Sequence, residues 1–168
     1  MTYLTRRALI KLAFIAGSMT FFSKFNAISQ EDRMNEPELN ERFERGLRKL
    51  KEIDGEAGEK VIESLEDIAP DLGRYVIEYP FGDVYSREGL DLKSREIATV
   101  SALAAMGNAR PQLKVHVHGA LNVGCSREEV VEIMIQMSVY AGFPAALNGI
   151  FAAEEVFRER DSKGISDT

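Results

Sequence analysis

From Glu36 onward, apolar side chains recur every three or four positions, and nowhere do they alternate singly between turn residues. A period near 3.6 belongs to helices and a period of 2 to strands, so this spacing restricts the chain to helices packed on one another. Leu39, Phe43, Leu47 and Leu50 form one stripe, and Val61, Ile62, Leu65 and Ile68 the next. Pro70 closes the second. Leu72, Tyr75, Val76 and Tyr79 define a short third helix that ends before Pro80, and a loop runs from Phe81 to Leu90. Proline lacks the helical N–H donor and disfavours helix at the residue before it, which sets both boundaries. Residues 91–106 are rich in Ala, Leu, Ile and Val, with few charges, and predict a helix buried on most sides. Gly107-Asn108 stops it.

Pro111 suits the first position of the following helix, and Gly124 its C′ position. Ser126 and Glu129 have capping-box spacing. The helix they open turns Val130, Ile133, Met134, Met137 and Ala141 toward the core. Gly142 ends it. Pro144 starts a last helix, in which Leu147, Ile150, Phe151 and Phe157 carry the pattern to Arg160. The final eight residues are polar and are expected to fray. The expected fold class is all-α, with six to seven helices.

Composition narrows the functions open to such a bundle. With 168 residues, 45% hydrophobic and 29% charged, the chain can bury a core without cross-links. A single cysteine, Cys125, and two histidines, His116 and His118, exclude an intramolecular disulfide, a zinc ribbon and a paired-thiol redox motif. The net charge of -6 conceals an asymmetry. Residues 1–29 hold Arg6, Arg7, Lys11 and Lys24 and no acid, so the remainder carries 17 basic against 27 acidic side chains, or -10. Such an acidic body is not expected to take nucleic acid as its partner. The basic start is followed by uncharged Leu12 to Phe22 and small Ala27-Ile28-Ser29. That order is a signal peptide's, and the Arg pair resembles the twin-arginine type. The expected organisation is an export address over 1–29 and one domain over 30–168. The domain would be periplasmic or otherwise exported and would meet the membrane only during export; a cytoplasmic protein is the alternative.

Few side chains offer chemistry. His116 and His118 lie two apart in a helix, about 200° around its axis, so one pocket does not take both. With no third His and no Cys cluster, no metal site is expected. Glu96, near the start of its apolar helix, is either a surface charge favoured by the helix N-terminus or an inward carboxyl able to donate or accept a proton. Arg87, in the loop, is suited to grip a substrate carboxylate through both nitrogens, or is simply exposed. Cys125 has no resolving partner and reads as structural.

Three blocks carry a family resemblance. They are Gly82 to Asp91 with Ser94-Arg95-Glu96, Leu113 to His116 continuing through Gly119 to Gly124, and Tyr140 to Asn148; Glu41 to Leu47 resembles the helix that precedes them. Together, over residues 38–158, they resemble the carboxymuconolactone decarboxylase family. The resemblance implies an alkylhydroperoxidase D-like helical fold, a homo-oligomer (hexamer or trimer) and a pocket near His116 beside the helix of Glu96. It implies decarboxylation or isomerisation of a small carboxylated lactone or related acid. The electrons left by CO2 would pass into the lactone carbonyl, so no cofactor is called for. His116 would then donate a proton or stabilise the enolate, Glu96 would orient or re-protonate it, and Arg87 and His118 would neutralise the anionic small-molecule substrate. In the alkylhydroperoxidase branch two cysteines precede the histidine. Their places are taken here by Ala109 and Gln112, which removes that thiol chemistry. Glu88, His118 and Val123 depart from the pathway decarboxylases, which tend to have Pro, Arg and Asn there. The alternatives are a peroxidase-like redox activity and a non-catalytic oligomeric scaffold.

Overall fold

Two helix starts show how closely local chemistry sets the boundaries. The Asp91 carboxylate accepts from the Ser94 N–H at 2.7 Å. Ser126 Oγ accepts from the Glu129 N–H at 3.1 Å, while Glu129 accepts from the Ser126 N–H at 2.8 Å. Both arrangements satisfy donors that a helix start leaves open. In the computed structural model, which describes residues 37–167, the order is α1 (Pro37–Ile53), α2 (Gly55–Leu65), α3 (Pro70–Val76), a π-helical segment (Ile77–Val84), α4 (Leu92–Met106), α5 (Arg110–Asn122), α6 (Arg127–Tyr140) and α7 (Phe143–Lys163). These are seven α-helices with no strand among the described residues, so the fold is all-α as the spacing predicts. The expected export signal, residues 1–29, lies outside the described residues. No described helix is long and apolar enough to cross a membrane.

The core sits among α4, α5, α6 and α7. Val100 and Ala104, Leu113, Val117, Ala120 and Leu121, Val130 and Met134, and Ala152, Ala153 and Val156 close on one another, with Cys125 between α5 and α6. Each large apolar side chain buried there contributes roughly 1.5–3 kcal/mol. The α1–α2 hairpin turns at Gly55, whose φ of +52° lies in the left-handed region. It buries Leu50, Ile53 and Ile62.

Three expectations needed correction. The third α-helix does end before Pro80, at Val76, but helical winding continues beyond it into the expected loop. The chain passes through the proline in wide π turns, with the Tyr85 N–H on the Pro80 carbonyl at 2.8 Å. Five-residue hydrogen bonding gives the ring room that an α-turn would deny it. On α7, Leu147 and Phe151 are half exposed, whereas Ala145, Ala146, Gly149, Ala152 and Ala153 face the core. The helix carries two apolar stripes, and the small one is chosen because α6 comes close: a Cβ on Gly149 would run into the Met134 sulfur. The tail is also anchored as far as Asp167. Arg160, buried on α7, donates to Asp167 at 2.8 Å and to the Ser166 carbonyl at 2.8 Å. A buried guanidinium requires such partners, so polar composition did not mean fraying.

Candidate active site

Glu96, on the second turn of α4, and His116, midway along α5, meet between the two helices. The imidazole Nδ1 donates to both Glu96 oxygens, at 3.1 and 3.3 Å. Glu96 is fully buried, so of the two readings of this carboxyl the inward one is correct. One face of His116 remains open, its side chain being 20% exposed. A third group arrives from the α1–α2 turn: Asp54 Oδ1 stands 3.8 Å from the same Nδ1. Asp54 is 4% exposed, and its Oδ1 has no hydrogen-bond partner. It occupies the N-cap position of α2 yet does not cap it. An Asp there ordinarily satisfies a helix donor and gains about 1 kcal/mol. Here the carboxyl is turned into the cluster instead.

Backbone contacts fix this turn. Asn122, at the end of α5, donates from Nδ2 to the Ile53 carbonyl at 2.8 Å and accepts from Arg160 at 2.9 Å on its own oxygen. At Gly119, one helical turn beyond His116, the missing side chain leaves room for the carboxylates. A Cβ there would lie 2.6 Å from Asp54 Oδ1 and 3.1 Å from Glu96 Oε2. Tyr85, just past the π segment, closes another side. Thr99 donates its own hydrogen to the Arg95 carbonyl at 3.0 Å, so Tyr85 donates to Thr99 Oγ1 at 2.6 Å.

The electrostatics follow from burial. Loss of water pushes the Asp54 carboxyl up to about 7, with Glu96 adding to the rise and His116 opposing it. Burial alone would lower the His116 imidazolium, but the Glu96 hydrogen bond and the charges of Asp54 and Glu96 outweigh it and hold the group above its ordinary value. Burial, then the Glu96 charge, push the Tyr85 phenol up as well. The cluster therefore has the parts of a proton-transfer site: an imidazole oriented at one nitrogen by a buried carboxylate, with a second carboxyl alongside.

The four side chains singled out from the sequence do not converge. His116 and Glu96 are brought together. His118 points away, as helical geometry requires, and its Nε2 lies 3.7 Å from Glu159. Burial lowers its pKa, so it is a poor cation at neutral pH. It lines a cavity of about 680 Å³ with Lys60, Arg110, Lys114, Lys163 and Arg160. That cavity reaches the cluster only through Asp54; neither Glu96 nor His116 lines it. Arg87 is exposed on the loop before α4, and its carbonyl accepts from Arg95 at 3.0 Å. Cys125 is fully buried, and burial raises its thiol pKa, away from the reactive thiolate. Sequence reasoning missed Asp54 and Tyr85. Asp54-Gly55 is an ordinary helix-capping turn by composition, and only the three-dimensional path of α1 turns its carboxyl inward.

The described residues thus form an all-α bundle with a carboxylate-held histidine between two adjacent helices. Residues 70–155 match the sequence profile of the Carboxymuconolactone decarboxylase family. The chain is 32% identical over 120 residues to 4-carboxymuconolactone decarboxylase of Acinetobacter baylyi, covering 71% of this chain and 89% of that protein. It is 29% identical over 131 residues to nitrosuccinic acid decarboxylase of Metarhizium robertsii, covering 76% and 90%. An uncharacterized 15.0 kDa protein of Paracoccus denitrificans is 35% identical over 101 residues, covering 60% and 75%. The chain belongs to the carboxymuconolactone decarboxylase family. Two of these relatives are named as decarboxylases, and this supports a decarboxylase-type activity.

Proposed function

We propose that this protein decarboxylates a small carboxylated lactone or related acid, with His116 delivering the proton to carbon. The observation that carries the proposal is the fully buried Glu96 holding Nδ1 of a partly open histidine. Glu96 fixes the tautomer and leaves Nε2 to meet substrate. As the carbon–carboxylate bond breaks, its electron pair moves into a conjugated carbonyl or nitro group of the substrate itself. CO2 leaves, the His116 imidazolium, held by Nδ1–H on Glu96, gives its Nε2 proton to the carbanionic carbon and becomes the neutral Nδ1–H tautomer, and water restores the Nε2 proton. Arg87, exposed on its loop, and His118, turned toward Glu159, both stand outside this path. The buried Cys125, with its raised pKa, speaks against the peroxidase-like alternative.

The test is CO2 release from 4-carboxymuconolactone and from nitrosuccinic acid by wild type, His116→Ala and Glu96→Gln. Losses of about 100-fold or more are expected for His116→Ala, in line with general acid–base catalysis. Equal turnover by wild type and His116→Ala would remove the histidine from the mechanism.

Assembly and export belong to the same proposal. Ile135, Val139, Tyr140, Phe143, Leu147 and Phe151 expose a large apolar surface on α6 and α7, which supports self-association into a trimer or hexamer. The basic and apolar order of residues 1–29 supports export by the twin-arginine route. The N-terminal residue of the native protein tests this, and retention of Met1 in a cytoplasmic fraction refutes it.

A further inference from the structure

We propose that Asp54, Glu96 and His116 form a binding site for one divalent transition-metal ion. The inference stands apart from the decarboxylase reading and needs no substrate. One ligand atom from each residue lies within 4.8 Å of the other two. Bonds of about 2.1 Å to nitrogen and oxygen place neighbouring donors in a tetrahedral or octahedral shell roughly 3.0–3.4 Å apart. His116 Nδ1 and Glu96 Oε2 already stand at 3.1 Å. Asp54 Oδ1, at 3.8 Å from Nδ1, needs only a small side-chain rotation to join them.

Three further features point the same way. Asp54 Oδ1 is a buried acceptor with no hydrogen-bond partner, and it forgoes the capping role its position offers. Such an orphan is destabilising unless something satisfies it. The bare α-carbon of Gly119 keeps open the space beside both carboxylate oxygens, where a methyl group would crowd an ion's shell. Once an ion has displaced the protons held by Asp54 and His116, two carboxylates beside a neutral imidazole carry a charge of -2, which one divalent cation cancels. One nitrogen and two oxygens form a hard-to-borderline donor set, suited to manganese, iron, cobalt or zinc in the divalent state and not to soft copper(I). Three protein ligands leave coordination positions open. Asp54 is the one member of the three that also lines the neighbouring cavity, whose acids Glu56, Glu155 and Glu159 stand among five Lys and Arg side chains. With Nδ1 bound, the second ring nitrogen stays available for proton transfer.

The experiment uses the full chain without a polyhistidine tag, dialysed against a chelator and then incubated with Mn2+, Co2+ or Zn2+. Metal per chain is measured after gel filtration, the melting temperature is followed, and Co2+ is read by its visible d–d bands. The expected result is close to one ion per chain, a melting temperature raised by several degrees, and d–d bands for Co2+. Asp54→Asn keeps the shape of the side chain and should weaken binding at least tenfold, as should Glu96→Gln. If Asp54→Asn does not fold, Glu96→Gln decides the question. Wild type that takes up less than a tenth of an ion overturns the proposal. Uptake unchanged in a folded variant also overturns it, because the ion then sits elsewhere. A protein that binds the ion but decarboxylates nothing would leave this site intact and sink only the functional reading.

Discussion

Replacing Gly119 by alanine separates the site from the stability of the fold. The new Cβ would lie 2.6 Å from Asp54 Oδ1, 3.1 Å from Glu96 Oε2 and 3.2 Å from Ile53 Cγ2. Ordinary contact begins near 3.4 Å, so the Asp54 oxygen must retreat by roughly 0.8 Å. Overpacking of this kind costs about 1–3 kcal/mol. Alanine in place of glycine inside a helix returns about 1 kcal/mol. The net loss is then about 0–2 kcal/mol, or a melting temperature lowered by no more than roughly 8 °C. The site should suffer far more, because a 1 Å misplacement can cost about 100-fold in rate. The assay pairs CO2 release with scanning calorimetry and includes Gly149→Ala as a control. In that control the added methyl meets the Met134 side chain and not the carboxylates, so stability falls while turnover per folded molecule holds. A Gly119→Ala protein within threefold of wild-type turnover would refute the crowding argument and show that the spacing of the carboxyls does not matter.

The other expectations concern separate parts of the molecule. Asp167→Asn removes the acid partner of buried Arg160, and a loss of about 2–3 kcal/mol in urea denaturation is expected, at or below the lower end for a broken buried pair because Asp167 is partly exposed. A loss under 0.5 kcal/mol would show that water replaces the acid. Tyr85→Phe leaves Thr99 without the phenol and should cost about 1 kcal/mol, together with a measurable loss of turnover; unchanged turnover would confine Tyr85 to packing. Val139→Glu places a charge on the exposed apolar face of α6 and should give a smaller species by light scattering, whereas an unchanged mass would exclude that face from the assembly. Cys125, buried and with a raised pKa, should resist Ellman's reagent in the native state for hours and react within minutes in denaturant.

The apolar spacing announced the helices, and the Ser126–Glu129 capping box placed the start of α6 to the residue. Side-chain size was less legible. Leu147 and Phe151 carried the stronger hydrophobic signal on α7, yet the closeness of Met134 turned the alanine stripe inward. Pro80 misled for a related reason: proline rules out an α-turn, and sequence alone does not show that a π turn takes its place. In the site, the pairing of Glu96 with His116 was within reach, because both sit on apolar helices where an inward polar group needs a partner. Asp54 was not, since its partners are more than 40 residues away along the chain and its own neighbourhood spells an ordinary turn.

The Arg160 anchor has a consequence for the α1–α2 turn. The guanidinium joins the Ser166 carbonyl and the Asp167 carboxylate to Asn122, and Asn122 holds the Ile53 carbonyl immediately before Asp54. The last few residues thus act as a bolt on the α1–α2 turn. Clipping them, as a carboxypeptidase would, should loosen Asp54 while leaving Glu96 and His116 in place, so trimming at one terminus becomes a way of removing a single group from the cluster.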